Sequence, residues 1–211
     1  MLLTKGKMGL LTASASITQY RVEGKLTEPL LENLRKGLQQ HSIQDIDNES
    51  IEKSVGWTPI DHPYDPDFSL TPFVIGEYVF FSLRMDKKTI PTKILKKTLH
   101  TETAKQLKKS QREFLSKTEK QELRDRIIHQ LLIRIPANPN IYDVMWHYEK
   151  GELNFFSTLK AANETIETLF IKSFNLTLIR LFPYTLADWG CQLGTAQKDI
   201  LVSLSPTRFV E

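Results

Sequence analysis

A single cysteine, Cys191, stands in this chain of 211 residues, and that scarcity removes two architectures at once. There is no disulfide framework and no cysteine-based zinc site. No stretch approaches the roughly 20 apolar residues that a helix needs to cross a bilayer. The first ten residues, MLLTKGKMGL, are too short and too interrupted by lysine and glycine for a secretory signal. A phosphate-cradling glycine loop is missing, which argues against an ATP-driven activity. The five histidines, His41, His62, His100, His129 and His147, are scattered, with no HExxH and no paired ligand spacing. What remains is an ordinary globular composition, 40% hydrophobic and 25% charged, long enough to bury one core or two small ones. A reducing cytoplasm is the expected location.

Charge is present in near balance, +3 overall, but it is not evenly spread. Residues 84–134 hold 15 Lys or Arg against 6 Asp or Glu, a local +9, and the rest of the chain holds 13 against 19. Between Lys87 and Lys120 only Glu102, Glu113 and Glu119 interrupt the cations. A basic stripe of this kind raises local attraction for polyanions.

The spacing predicts an α+β chain. Residues 14–22 alternate as a strand, with Ala15, Ile17 and Val22 apolar. Thr27 is placed to cap a helix with Pro29 in its first turn and a stripe of Leu30, Leu31, Leu34 and Leu38. Residues 54–60 read as a short strand or turn, 61–72 as an irregular proline-rich loop, and 77–85 as an aromatic-rich strand. A helix is expected from Pro91 to about Arg112, with Leu95 and Leu99 on one side. The Ser116–Glu119 capping box opens a second, striped by Leu123, Ile127, Leu131 and Ile135 until Pro136 and Pro139 end it. Strands at 141–148 and 153–157 flank a Lys150–Gly151 turn, followed by a helix over 158–174 and a strand over 176–182. The expected fold is two ferredoxin-like half units, βαββ and ββαβ, which join into one sheet or form separate layers, with a basic helical hairpin inserted. The segments are 1–88 for the first half, 89–135 for the hairpin, 136–185 for the second half and 186–211 for a C-terminal tail.

Candidate phosphate contacts lie on that hairpin. Lys93, Lys97, Lys105, Lys108 and Arg112 share one face of the first helix, roughly 200° round from Leu95. Lys109 completes the group. On the second helix Lys117, Lys120, Arg124 and Arg126 sit outside the apolar stripe. A solvated hairpin, with Glu122 and Arg126 as an intrahelical pair, is the plain alternative; phosphate neutralisation with counterion release is the functional one. Base readout is not indicated, since no compact helix-turn-helix surrounds the segment and Phe114 is its only aromatic between Lys87 and Lys120. Asp61, His62, Asp65 and Asp67 gather in one loop where a nuclease would hold a divalent ion, and a solvated proline-rich loop is the plainer reading. Cys191 is read as a semi-buried residue without a base partner, and Trp57, Trp146 and Trp189 as core. No catalytic residue, cofactor or metal ligand is assigned.

Several stretches resemble one family. IPTKILKKTL at 90–99 and KTEKQELRDRIIHQLL at 117–132 are similar to the RdgC family of bacterial recombination-associated proteins. Val55-Gly56-Trp57-Thr58-Pro59 resembles its GW-x-P segment, and MWHYEKGELNFFS at 145–157 and PYTLADW at 183–189 resemble its later patterns. The resemblance implies a nucleoid-associated binder of double-stranded DNA with little sequence preference, dimerising into a ring and restraining a RecA-type recombinase. By position, Lys117, Thr118, Glu119 and Lys120 match the family's basic finger, and Arg134 an arginine beyond the second helix. Two departures follow. Ile133-Arg134-Ile135-Pro136 stands where the resemblance leads one to expect Pro-Arg-Ala-Phe, and a short member without the family's C-terminal third is expected. These departures put encirclement in question: a simple homodimer, an open clamp and no dimer at all stay open, as do a metal-dependent nuclease and a protein-interaction module.

Overall fold

The computed structural model describes residues 10, 12, 14–26, 28–69, 73–191 and 193–205. Thr27, the expected helix cap, lies outside them. The chain opens with β1 (Thr18–Glu23) and α1 (Leu30–Gln40), then β2 (Lys53–Thr58), the two-residue β3 (Val74–Ile75) and β4 (Tyr78–Lys87). Two helices follow, α2 (Thr92–Ser110) and α3 (Lys117–Arg134). β5 (Asn138–His147), β6 (Glu152–Phe155), α4 (Lys160–Phe174) and β7 (Thr177–Arg180) come next, and α5 (Pro183–Gly190) and α6 (Thr195–Ser203) end the described chain.

All seven strands join one antiparallel sheet in the order β2-β4-β5-β6-β1-β7, with β3 on β4. The βαββ and ββαβ runs are therefore interleaved, because β1 crosses over to lie between β6 and β7. Alternation sets the buried face. Val79, Phe81 and Leu83 of β4 are fully buried, and Val144 and Trp146 of β5 stand beside Phe81 and Val79 in the ladder. Helices α1 and α4 cover that face with Leu34, Leu38, Ile166 and Phe170. They approach closely at Gly37, where a Cβ would stand 2.6 Å from the Ser173 carbonyl oxygen. Trp57, fully buried, meets Phe81 edge-on at 5.0 Å and donates its Nε1–H to Ser173 Oγ at 2.7 Å.

A polar pin crosses the same core. The Tyr20 hydroxyl donates to Asn163 Oδ1 at 2.6 Å and lies 3.0 Å from Glu167 Oε1, and Arg180 approaches it at 3.4 Å. Burial raises this phenol well above the usual tyrosine range. Tyr20→Phe leaves the Asn163 carbonyl oxygen without its donor, and a loss of about 1–2 kcal/mol is expected, read from the urea midpoint at unchanged slope.

Local differences from expectation have local causes. Ala15 and Ile17 are exposed and precede β1, whose inward residues are Tyr20 and Val22. Leu31 is 53% exposed, since it points away from the Leu34 and Leu38 side of α1. Trp189 is 41% exposed, resting under the Arg21 guanidinium, and Cys191 is exposed rather than semi-buried. The stretch expected as a tail, 186–211, holds the end of α5 and all of α6, joined by a 2.6 Å Lys198–Asp188 ion pair. The start of α5 is set by Pro183 in the first turn and by Thr185, whose hydroxyl accepts the Phe182 N–H.

Candidate nucleic-acid interface

The hairpin of α2 and α3 is inserted between two strands that pair along their whole length. Ten register pairs run from Tyr78 opposite His147 to Lys87 opposite Asn138, and the helices leave the sheet at the Lys87 end. At about 1.5 Å per residue, the 19 residues of α2 extend roughly 28 Å. The hairpin carries its own small core, in which Leu115, Leu123 and Ile127 pack with Leu95, Leu99, Leu107 and Leu131. Leu132 is buried and Ile135 is the C-cap, so the apolar stripe does not continue by fours. A spacing of four drifts about 40° round the helix at each step.

Its foot is closed by a buried lysine. Lys88, 3% exposed, donates from Nζ to the carbonyls of Asp47 at 2.9 Å, Glu49 at 2.8 Å and Leu132 at 2.8 Å. The last is one of the carbonyls that the end of α3 leaves without a helical partner. Asp47 holds the other foot, its carboxylate accepting the Ala137 N–H at 2.7 Å.

At the far end the turn is equally well defined. Gln111 adopts φ 52, a left-handed conformation that stops α2 at Ser110, two residues short of the expected Arg112. The Ser116–Glu119 capping box is present, the Ser116 hydroxyl accepting the Glu119 N–H and the Glu119 carboxylate accepting the Ser116 N–H. Arg112 adds a 3.0 Å ion pair to Glu119. The Ser116 N–H, then its hydroxyl, then Arg112 hold the Glu119 carboxyl below the usual range. A depressed folded-state value means that this contribution is complete above the ordinary Glu range and is lost as pH falls through the lowered one. Ser116→Ala is expected to cost the first turn of α3 about 1 kcal/mol, measured by amide hydrogen exchange there.

All ten predicted contact residues are exposed: Lys93, Lys97, Lys105, Lys108 and Lys109 on α2, Arg112 in the tip, and Lys117, Lys120, Arg124 and Arg134 on α3. They do not form one surface. Lys117, Lys120 and Arg124 line a groove between the helices with Leu99, Thr103 and Gln121. Lys93, Lys97 and Lys108 lie on the α2 face away from the leucine seam. Lys105 is held by Glu102 at 2.7 Å, and Arg112 by Glu119. Among the described residues, the other eight make no ion pair, and neither do Glu122 and Arg126 with each other.

The sequence also overcounts the basic surface. Of the fifteen cations between 84 and 134, Lys88 is interior, and Arg84 is locked to fully buried Asp86 by a 2.6 Å ion pair. The other thirteen are exposed. The first turn of α2 carries Lys93 and no acidic residue, and that of α3 carries Lys117 and Lys120 beside the capping Glu119, so three lysines sit where the helix dipole disfavours them. Each such cation costs a few tenths of a kcal/mol in an isolated helix. Local choices that oppose the fold mark places where something other than stability selects the residue.

The loop holding Asp61, His62, Asp65 and Asp67 does not converge on a point. Among the described residues no group of three or more His, Cys, Asp or Glu side chains is disposed to hold a metal ion. Asp67 instead accepts the Ser69 N–H and hydroxyl, each at 2.8 Å, and the hydroxyl, then the N–H, lower its carboxyl below the usual range. Among the described residues no helix is long and apolar enough to cross a membrane.

Fold and site together define an α+β protein with one antiparallel sheet and a cationic two-helix arm set between its paired strands β4 and β5. The family model described as "Putative exonuclease, RdgC" matches residues 15–185, which takes in every strand of the sheet and the whole arm. The chain belongs to the RdgC family. No curated protein matches it.

Proposed function

We propose that the chain binds double-stranded DNA without sequence preference, using the α2–α3 hairpin as its phosphate contact. The observation that carries this reading is the groove lined by Lys117, Lys120 and Arg124, three exposed cations with no acidic partner among the described residues. Twelve cations stand against five carboxylates between Thr92 and Arg134, so the arm keeps a large positive excess after its two ion pairs are formed. Lysine and arginine on long stems neutralise phosphates and release counterions, which needs no base contact. At roughly 3.4 Å per phosphate along one strand, an arm of this length spans about eight of them.

Family membership and this surface together support a role in recombination or replication, in which the bound protein limits the access of a RecA-type recombinase to DNA. The protein acts as a nucleoid-associated homodimer and does not cut the strands it holds. The test is the affinity for a random-sequence duplex as a function of salt. A steep fall, with a log–log slope of about −5 for six phosphates, is expected. A flat salt dependence removes the proposal, and loss of intact duplex in the same mixtures with Mg²⁺ returns it to the hydrolytic reading that the family's description carries.

A further inference from the structure

The tip of the hairpin presents an aromatic ring to solvent. Phe114 is 78% exposed, more than any other large hydrophobic side chain among the described residues. Its neighbour Leu115 is 5% exposed and anchored in the hairpin core, so the loop is fixed while the ring is turned out. The left-handed Gln111, the capping box and the Arg112–Glu119 pair hold the loop from both sides. The turns that flank the ring bring Lys108, Lys109, Arg112, Lys117 and Lys120 to the same end of the arm, against Glu113 and Glu119. Glu119 is already engaged by Ser116 and Arg112. An apolar ring in a cationic collar matches a surface that is anionic outside and aromatic within.

We infer that Phe114 is a wedge that enters the base stack of duplex DNA while the surrounding cations hold the phosphates on either side. Apolar side chains that insert between base steps act in this way, unstacking one step and kinking the duplex. A duplex already weakened at one step, at a mismatch or a short bulge, is the preferred ligand, because less stacking is lost on entry. The inference rests on the DNA-binding reading above and adds the structural class of DNA selected.

The test compares the full chain with Phe114→Ala and Phe114→Leu on two duplexes, one perfect and one with a two-base bulge flanked by 2-aminopurine. The wild type is expected to bind the bulged duplex about tenfold more tightly, the order of one stacking contact, and to raise the 2-aminopurine fluorescence. Phe114→Ala is expected to lose both effects while keeping the wild-type salt slope, because no phosphate contact is removed. Phe114→Leu is expected to keep part of the preference. Equal affinity of the wild type for both duplexes, or a preference that survives Phe114→Ala, overturns the wedge while leaving phosphate binding in place. Absence of salt-dependent binding by the wild type overturns the DNA reading and the wedge together. A change in sedimentation coefficient for Phe114→Ala, with both DNA effects retained, assigns the ring to contact between copies of the chain and also overturns the wedge.

Discussion

Replacing Lys117, Lys120 and Arg124 together by glutamate is expected to weaken duplex binding by at least a hundredfold near 0.15 M salt. Each phosphate contact contributes close to one unit to the salt slope, so losing three lowers its magnitude by about 3. Three contacts of roughly 1 kcal/mol each at that ionic strength correspond to a factor of about 10², and like-charge repulsion adds to it. Folding is expected to survive, because the three side chains are exposed and two of them occupy the first turn of α3, where acidic residues suit the helix dipole. Arg126→Glu is the control. It changes net charge on the same helix, yet Arg126 does not line the groove, so its effect should be several-fold smaller. If Arg126→Glu weakens binding as much as each groove substitution does, the protein responds to net charge alone and the groove is not a site.

Substituting methionine for Lys88 is expected to produce the largest loss of stability of any single change at the foot of the arm. Met fills similar space but donates nothing to the carbonyls of Asp47, Glu49 and Leu132. Hydrogen bonds from a charged donor contribute about 1.5–3 kcal/mol each, and the ammonium regains hydration on unfolding, so a net loss of about 3 kcal/mol follows. For a chain of this size the melting temperature should fall by roughly 6–12 °C. Amides in the last turn of α3 should lose hydrogen-exchange protection before those of β4, because the carbonyl of Leu132 loses its anchor first. A melting temperature within about 2 °C of the wild type would show that the three carbonyls find water instead.

Much of the arm was legible because its determinants are local. Ser116 and Glu119 lie three apart and recognise each other without help from the rest of the chain, and the capping box is where the spacing puts it. Trp57 and Trp146, in runs of apolar and aromatic residues, are buried as their surroundings suggest. Strand order is not local. Nothing near Tyr20 announces that β1 lies between β6 and β7, because that placement depends on partners more than a hundred residues away. Lys88 was hidden for a different reason: inside a basic run a buried lysine looks like its exposed neighbours, and only the three converging carbonyls distinguish it. Trp189 erred the other way. Aromatic composition suggested a core, but α5 packs loosely and has no buried residue. The ten positions expected to contact phosphate are exposed cations, while their division between a groove and an outer face depended on how α2 and α3 pack.

Placing the arm between β4 and β5 also affects the order of folding. Those strands contribute ten paired positions to the sheet, yet fifty residues separate Lys87 from Asn138. Closing an unstructured loop of that length costs about 1.6 kcal/mol more than closing one of eight, since the entropy grows with the logarithm of length. An antiparallel helical pair forms from near neighbours, and once formed it returns its two ends to the same place. The cationic arm is therefore expected to act early in folding as a clasp, converting a long-range strand pairing into a short-range one and speeding the step on which the rest of the sheet depends.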